Sequence, residues 1–270
     1  MKKLLAVAVA TAISAPAMAD LTIGGSADYL LTSTDGSVAD SLETNIDINA
    51  SATAEDGMFV KAYLQIEANQ ADQNASQSFD IDDNKLTVGY DVASVTVGNF
   101  VTSSAFVAGN DDYMAGAHGF KANASERASD VALNFAAGAV SGQIGTNLDE
   151  GGADATVAYI KADLGMATVA ANYEDEDGVS EGYGASVSAK LADATVTLSY
   201  AENTQTNVGT SNINVAYGAF DVNFSDDEAT DSHFYGSYKT ALPVSGASLT
   251  VGAGATDDVT KVGANVVFKF

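Results

Sequence analysis

From residue 20 onward the chain repeats a two-residue rhythm. Its last stretch sets Val262, Ala264, Val266, Phe268 and Phe270 on one parity against Lys261, Gly263, Asn265, Val267 and Lys269 on the other. An earlier stretch sets Val60, Ala62, Leu64 and Ile66 against Lys61, Tyr63, Gln65 and Glu67. Period-two alternation with opposite chemistry on the two faces predicts β-strands with one apolar and one wet side. The first strand is expected over residues 21–31, the second around Ile46 and Ile48, the third at Val60 to Glu67. The fourth and fifth are expected over residues 85–92 and 94–99. A long irregular stretch, 100 to about 128, interrupts the pattern. Strands resume around Leu133, Gly142, Val157, Val169, Val187, Val196, Ile213, Val222, Phe234, Val251 and Val266. The count is about 16, within a range of about 14 to about 18, because boundaries are the weakest part of such a reading.

The expected connections alternate in length. Short ones fall at residues 55–57, near Ala93, at Gly138, at 164–165, 192–193, 218–219 and 242–246. Long or acidic ones fall at 33–41, 69–84, 100–128, 146–152, 174–181 and 225–230. Strict short–long alternation is the rhythm of an up-and-down barrel that crosses a membrane, and a soluble sandwich does not require it. The apolar parity then faces lipid, as at Val131, Leu133 and Phe135, or Phe220, Val222 and Phe224. Tyr90, Tyr159, Tyr173, Tyr200, Tyr217 and Phe268 sit toward strand ends and suit an aromatic girdle. The polar parity faces the lumen, and a barrel of this width is too broad for side chains to fill. The expected fold class is all-β: a transmembrane, antiparallel up-and-down β-barrel.

The amino terminus adds an address. Lys2 and Lys3 precede an apolar stretch from Leu4 to Ile13, followed by Ala17-Met18-Ala19. A charged start, a short apolar core and small residues predict a signal peptide over 1–19, removed after Ala19. The barrel domain is then 20–270. Removing Lys2 and Lys3 takes the formal net charge from −25 to −27. That balance argues against nucleic acid and anionic ligands, and charge gathered at a mouth would attract cations. There is no cysteine, so strand pairing rather than disulfides must hold an exported chain together. Of the two prolines, Pro16 lies in the leader and Pro243 in an expected short turn, as continuous ladders require.

These features together resemble Gram-negative outer-membrane barrels, and more narrowly the trimeric, 16-stranded general-diffusion porins. The resemblance rests on the leader, the strand rhythm, Val95-Thr96-Val97-Gly98-Asn99 before the long third loop, and the closing Lys269-Phe270. It implies a third loop folded into the lumen, a homotrimer, an outer-membrane location, and contact with lipid and lipopolysaccharide. Asp111, Asp112, Glu126, Arg127 and Asp130 are then the candidate constriction residues. Asp47, Lys61, Tyr63, Glu67, Lys85, Lys239, Lys261 and Lys269 are the candidate wall. The sequence departs from the family in having no arginine cluster and no Pro-Glu-Phe-Gly-Gly in the third loop. Lys61, Lys85 and Lys269 are candidates for a weaker positive wall.

Other chemistry finds little support. His118 and His233 are the only histidines and have no catalytic or metal spacing. The run Glu174 to Gly178 lacks the spaced ligands of a calcium loop. No nucleophile elbow accompanies a Ser/His/Asp set, so neither enzyme activity, cofactor nor dedicated metal site is expected. The expected function is passive diffusion of small hydrophilic solutes and ions with moderate cation preference. The rivals are a substrate-selective channel, for example for sugars, and a plugged structural or adhesive barrel.

Overall fold

The computed structural model describes residues 20–71, 78–102, 127–148, 155–176, 180–205, 207–228, 232–256 and 259–270. They form β1 (Asp20–Thr34), β2 (Ser37–Thr53), β3 (Phe59–Ala71), β4 (Ser78–Tyr90), β5 (Ala93–Thr102), β6 (Arg127–Ala137), β7 (Val140–Thr146) and β8 (Ala155–Asp163). There follow β9 (Ala167–Glu176), β10 (Ser180–Leu191), β11 (Ala194–Asn203), β12 (Val208–Tyr217), β13 (Phe220–Asp227), β14 (His233–Ala241), β15 (Ala247–Thr256) and β16 (Val259–Lys269). Each strand pairs antiparallel with its neighbours in sequence, and β16 closes on β1. Closure matters physically because no sheet edge is left with unpaired backbone groups.

The closing seam pairs Ala27 with Phe268 and Thr34 with Lys261. Phe270 extends it by one step: its N–H donates to Gly25 O at 3.1 Å, and Gly25 N–H donates to Phe270 O at 3.0 Å. One end of the barrel carries the short turns 54–58, 91–92, 138–139, 164–166, 192–193, 218–219 and 242–246, with Pro243 in the last. We call it the turn end and the opposite one the loop end.

Several expected loops are strand instead. The segment 33–41 is a hairpin in which Thr34 pairs with Ser37 across Asp35-Gly36. Both turn residues have positive φ, 47° and 87°, the requirement of a tight hairpin turn that matches strand twist. β3 and β4 likewise run into 69–84, β9 and β10 into 174–181, and β13 into 225–230. The reason is environmental. β2 has 17 residues and β4 has 13, more than the roughly 9–11 that a membrane crossing needs. Beyond the apolar band both parities meet water, so the alternation fades while the hydrogen-bond ladder continues. Phe100, expected in the irregular stretch, also belongs to β5.

The outer parity is a continuous apolar surface. Leu133, Val187, Leu198, Ile213, Val222 and Val251 all stand exposed on it. Aromatic rings mark both of its borders. At the turn end Phe220 and Tyr238 pack with centroids 4.9 Å apart. At the loop end the Tyr183 and Tyr200 hydroxyls donate to Glu202 Oε2 at 2.6 and 2.9 Å. Tyr159 is a correction. It pairs with Gln143 and Asn172 on the polar parity and so faces the lumen rather than the girdle. A ring near a strand end is girdle only if its parity points outward, and position alone did not test that.

Candidate functional site: the inner wall

The inner wall is built by the polar parity of the strands. Its side chains bond sideways from strand to strand. Thr87 and Thr96 hydroxyls meet at 2.9 Å, Asn134 Nδ2 donates to Thr96 Oγ1 at 3.0 Å, and Gln143 Nε2 donates to Asn134 Oδ1 at 2.5 Å. Across the barrel Thr197 donates to Ser188 at 3.0 Å and Asn212 Nδ2 to Asn223 Oδ1 at 2.8 Å. Asn214 Nδ2 donates to Asp221 Oδ1 at 2.8 Å. Short amides and hydroxyls bond from strand to strand, while Gln143 Oε1, Asn212 Oδ1 and Asn223 Nδ2 are left without a protein partner, so the wall is polar, held in place and able to bind water.

One sector, β2 to β5, concentrates the charge. Asp47 Oδ1 accepts from the Tyr63 hydroxyl at 2.6 Å and from Gln65 Nε2 at 3.2 Å. Asn69 Nδ2 donates to Glu67. The register slips between Leu64 and Ile66, so that β4 carries one extra residue there. That bulge sets both Asp82 and Asp83 opposite Gln65. Lys85 Nζ answers them at 2.6 Å from Asp83 Oδ2, and lies 4.9 Å from the Tyr63 ring centroid and 5.9 Å from that of Phe100. Of the expected wall residues, Asp47, Tyr63, Glu67 and Lys85 thus meet in one patch. Lys61 lies on the same face with its Nζ 4.6 Å from the Phe59 ring. Lys239, Lys261 and Lys269 share the inner parity on β14 and β16, and Lys269 pairs with Ser26, which pairs with Asn45 on β2.

The expected constriction divides. Asp111, Asp112 and Glu126, the inward folding of the third loop and His118 lie outside the described residues. Arg127 opens β6 opposite Thr102, in the ladder rather than in the irregular stretch. Asp130 Oδ2 accepts the Leu148 N–H at 2.8 Å, which ties it to the chain leaving β7. The Gly98 motif gains a structural reason. Gly98 has φ of 137° at the register slip before Phe100. A Cβ there would meet Asn84 O at 2.0 Å.

Several inner residues escaped the sequence reading. Leu30, Phe59 and Val157 are apolar yet buried on the inner face. Glu174, expected in an acidic loop, lies in β9 opposite Gly182 and is 0% exposed. Lys161 stands opposite Ser141 on the polar parity, and counting parity outward from Gln143 and Tyr159 would have found it. Among the described residues no set of three or more His, Asp or Glu is arranged for a metal ion.

The sequence profile of the Gram-negative porin family matches residues 6–269. A search of curated proteins finds no match. Among solved structures, a multiple-site mutant of the Rhodopseudomonas blastica porin is 16% identical with a TM-score of 0.73, covering 93% of this chain and 100% of that one. A triple mutant of the same porin is 17% identical, also with a TM-score of 0.73 and the same coverage.

Proposed function

The chain belongs to the Gram-negative porin family, and from that membership we propose a passive channel for small hydrophilic solutes and ions with moderate cation preference. Family and fold are those of an outer-membrane diffusion channel rather than an enzyme. The observation that carries the finer reading is the inner wall. A closed 16-stranded barrel is too wide to be filled by its own side chains, and this one is lined by hydroxyls, amides and charges. Solutes pass by diffusion through water, and discrimination comes from size and wall charge. Carboxylates on the inner parity, such as Asp47, Glu67, Asp82 and Asp83, favour cations. The inner aromatics Phe59, Tyr63, Tyr159 and Tyr235 lie on β3, β8 and β14. Among the described residues they form no continuous track for stacking sugars.

The same reading includes removal of residues 1–19, a homotrimer, and an outer-membrane setting in contact with lipid and lipopolysaccharide. Asp111, Asp112, Glu126, Arg127 and Asp130 would narrow the pore. Mass spectrometry of the exported protein should find Asp20 at the amino terminus, and light scattering in detergent should give three copies. Planar-bilayer recording tests the channel itself: discrete conductance steps support it, and folded barrels that pass no current oppose it.

A further inference from the structure

Every lysine among the described residues lies on the inner parity, and their heights are unequal. Lys61, Lys161, Lys190, Lys239 and Lys269 each stand within two residues of the turn-side end of β3, β8, β10, β14 or β16. Those strands are spread around the barrel, so the five ammonium groups form a ring rather than a patch. All five are exposed to water, and no ion pair joins any of them to a carboxylate among the described residues. On the inner face at that end three carboxylates, Asp20, Asp163 and Asp221, stand against the five ammonium groups, while Glu55, Asp56, Asp91 and Asp193 lie beyond the wall in the turns 54–58, 91–92 and 192–193.

Toward the loop end the sign reverses. Glu43, Glu67, Asp80, Asp82, Asp83 and Glu174 occupy the inner parity of β2, β3, β4 and β9 from mid-height upward. Lys85 and Lys261 are the only described lysines there, and Lys85 is already held by Asp83.

We propose that this axial separation of charge, a lysine ring on the turn-side wall below an acidic upper wall, makes the pore an ionic rectifier with an anion-gathering zone on the turn-side stretch of its wall. The inference rests on the channel reading. Fixed charge on a pore wall sets which ion is enriched beside it, within a screening length of about 10 Å in 0.1 M salt. When the loop end is positive, cations enter through the acidic zone and anions through the lysine zone. Both accumulate where the zones meet, and conductance rises. With the opposite polarity both are drawn away from that junction, and conductance falls.

The test is single-channel recording of the mature chain in planar bilayers, in potassium chloride at 0.1 M and at 1 M. The chain has no cysteine, so biotin on Glu55→Cys marks the turn end, and streptavidin added to one compartment reports each channel's orientation. At 0.1 M the current should be roughly twofold larger with the loop end positive, and near-symmetric at 1 M, where screening shortens to about 3 Å. Tripolyphosphate should reduce the current only from the turn-end compartment. The triple variant Lys161→Gln, Lys190→Gln, Lys239→Gln should lose both effects, and the corresponding triple arginine variant should keep them. Symmetric current at 0.1 M, or asymmetry that survives the glutamine variant in a heat-modifiable barrel, overturns the proposal while leaving the channel standing. A folded barrel without current overturns both.

Discussion

Gly25 and Phe270 show how a single position can close a barrel. The Phe270 ring lies over Gly25 on the outer face, with ring carbons 2.9 and 3.1 Å from where a Cβ would be. The Asn45 carbonyl would be 2.1 Å from that same Cβ. Any side chain at Gly25 therefore strikes backbone on one side and the ring on the other. Gly25→Ala should lower the yield of heat-modifiable barrel on an unheated gel, whereas Phe270→Tyr should leave it unchanged. The hairpin at Asp35-Gly36 is a second such position. Asp35 Oδ1 accepts the Thr260 N–H at 3.0 Å, tying the turn to the start of β16. Gly36→Val at φ of 87° should cost about 1–2 kcal/mol in urea unfolding, and Asp35→Asn, which tolerates the left-handed conformation, should cost far less.

At the scale of the element, what decided legibility was the solvent on each side of a strand. Where one face met lipid and the other water, as at Val60 to Glu67, the period of two could be read directly from residue type. Where both faces met water, as at 33–41, the same ladder looked like loop. Glu174 was misplaced because acids on both parities, Glu174 and Glu176 inward and Asp175 outward, erased the alternation. Tyr159 was misplaced for another: an amphipathic ring is compatible with girdle and lumen alike. The bulge at Gly98 was visible only as a motif, since its cause is the approach of Asn84 O, a contact across strands. Gly98→Val should disturb the β4–β5 register and so the Lys85 position. Single-channel recording should show a broadened spread of conductance levels, against a single level for the parent.

For the whole molecule, closure and inner polarity were legible because they are sums over many strands and tolerate local error. The placement of charge by height was not, because it needs the register. The lysines at 61, 161, 190, 239 and 269 look unrelated along the chain and become one ring only when the strands are aligned. Lys85 stands apart from the ring, held at mid-height by Asp83. Lys85→Gln removes a positive charge from the acidic sector and should shift the reversal potential further toward the cation limit. The central claim is that this barrel is an open, cation-preferring water channel. Reversal potential across a potassium chloride gradient, recorded from purified heat-modifiable barrels, tests it most directly. The account predicts discrete conductance steps and a potential at which the dilute side is positive. Folded barrels that give no steps, or steps with the dilute side negative, would contradict it.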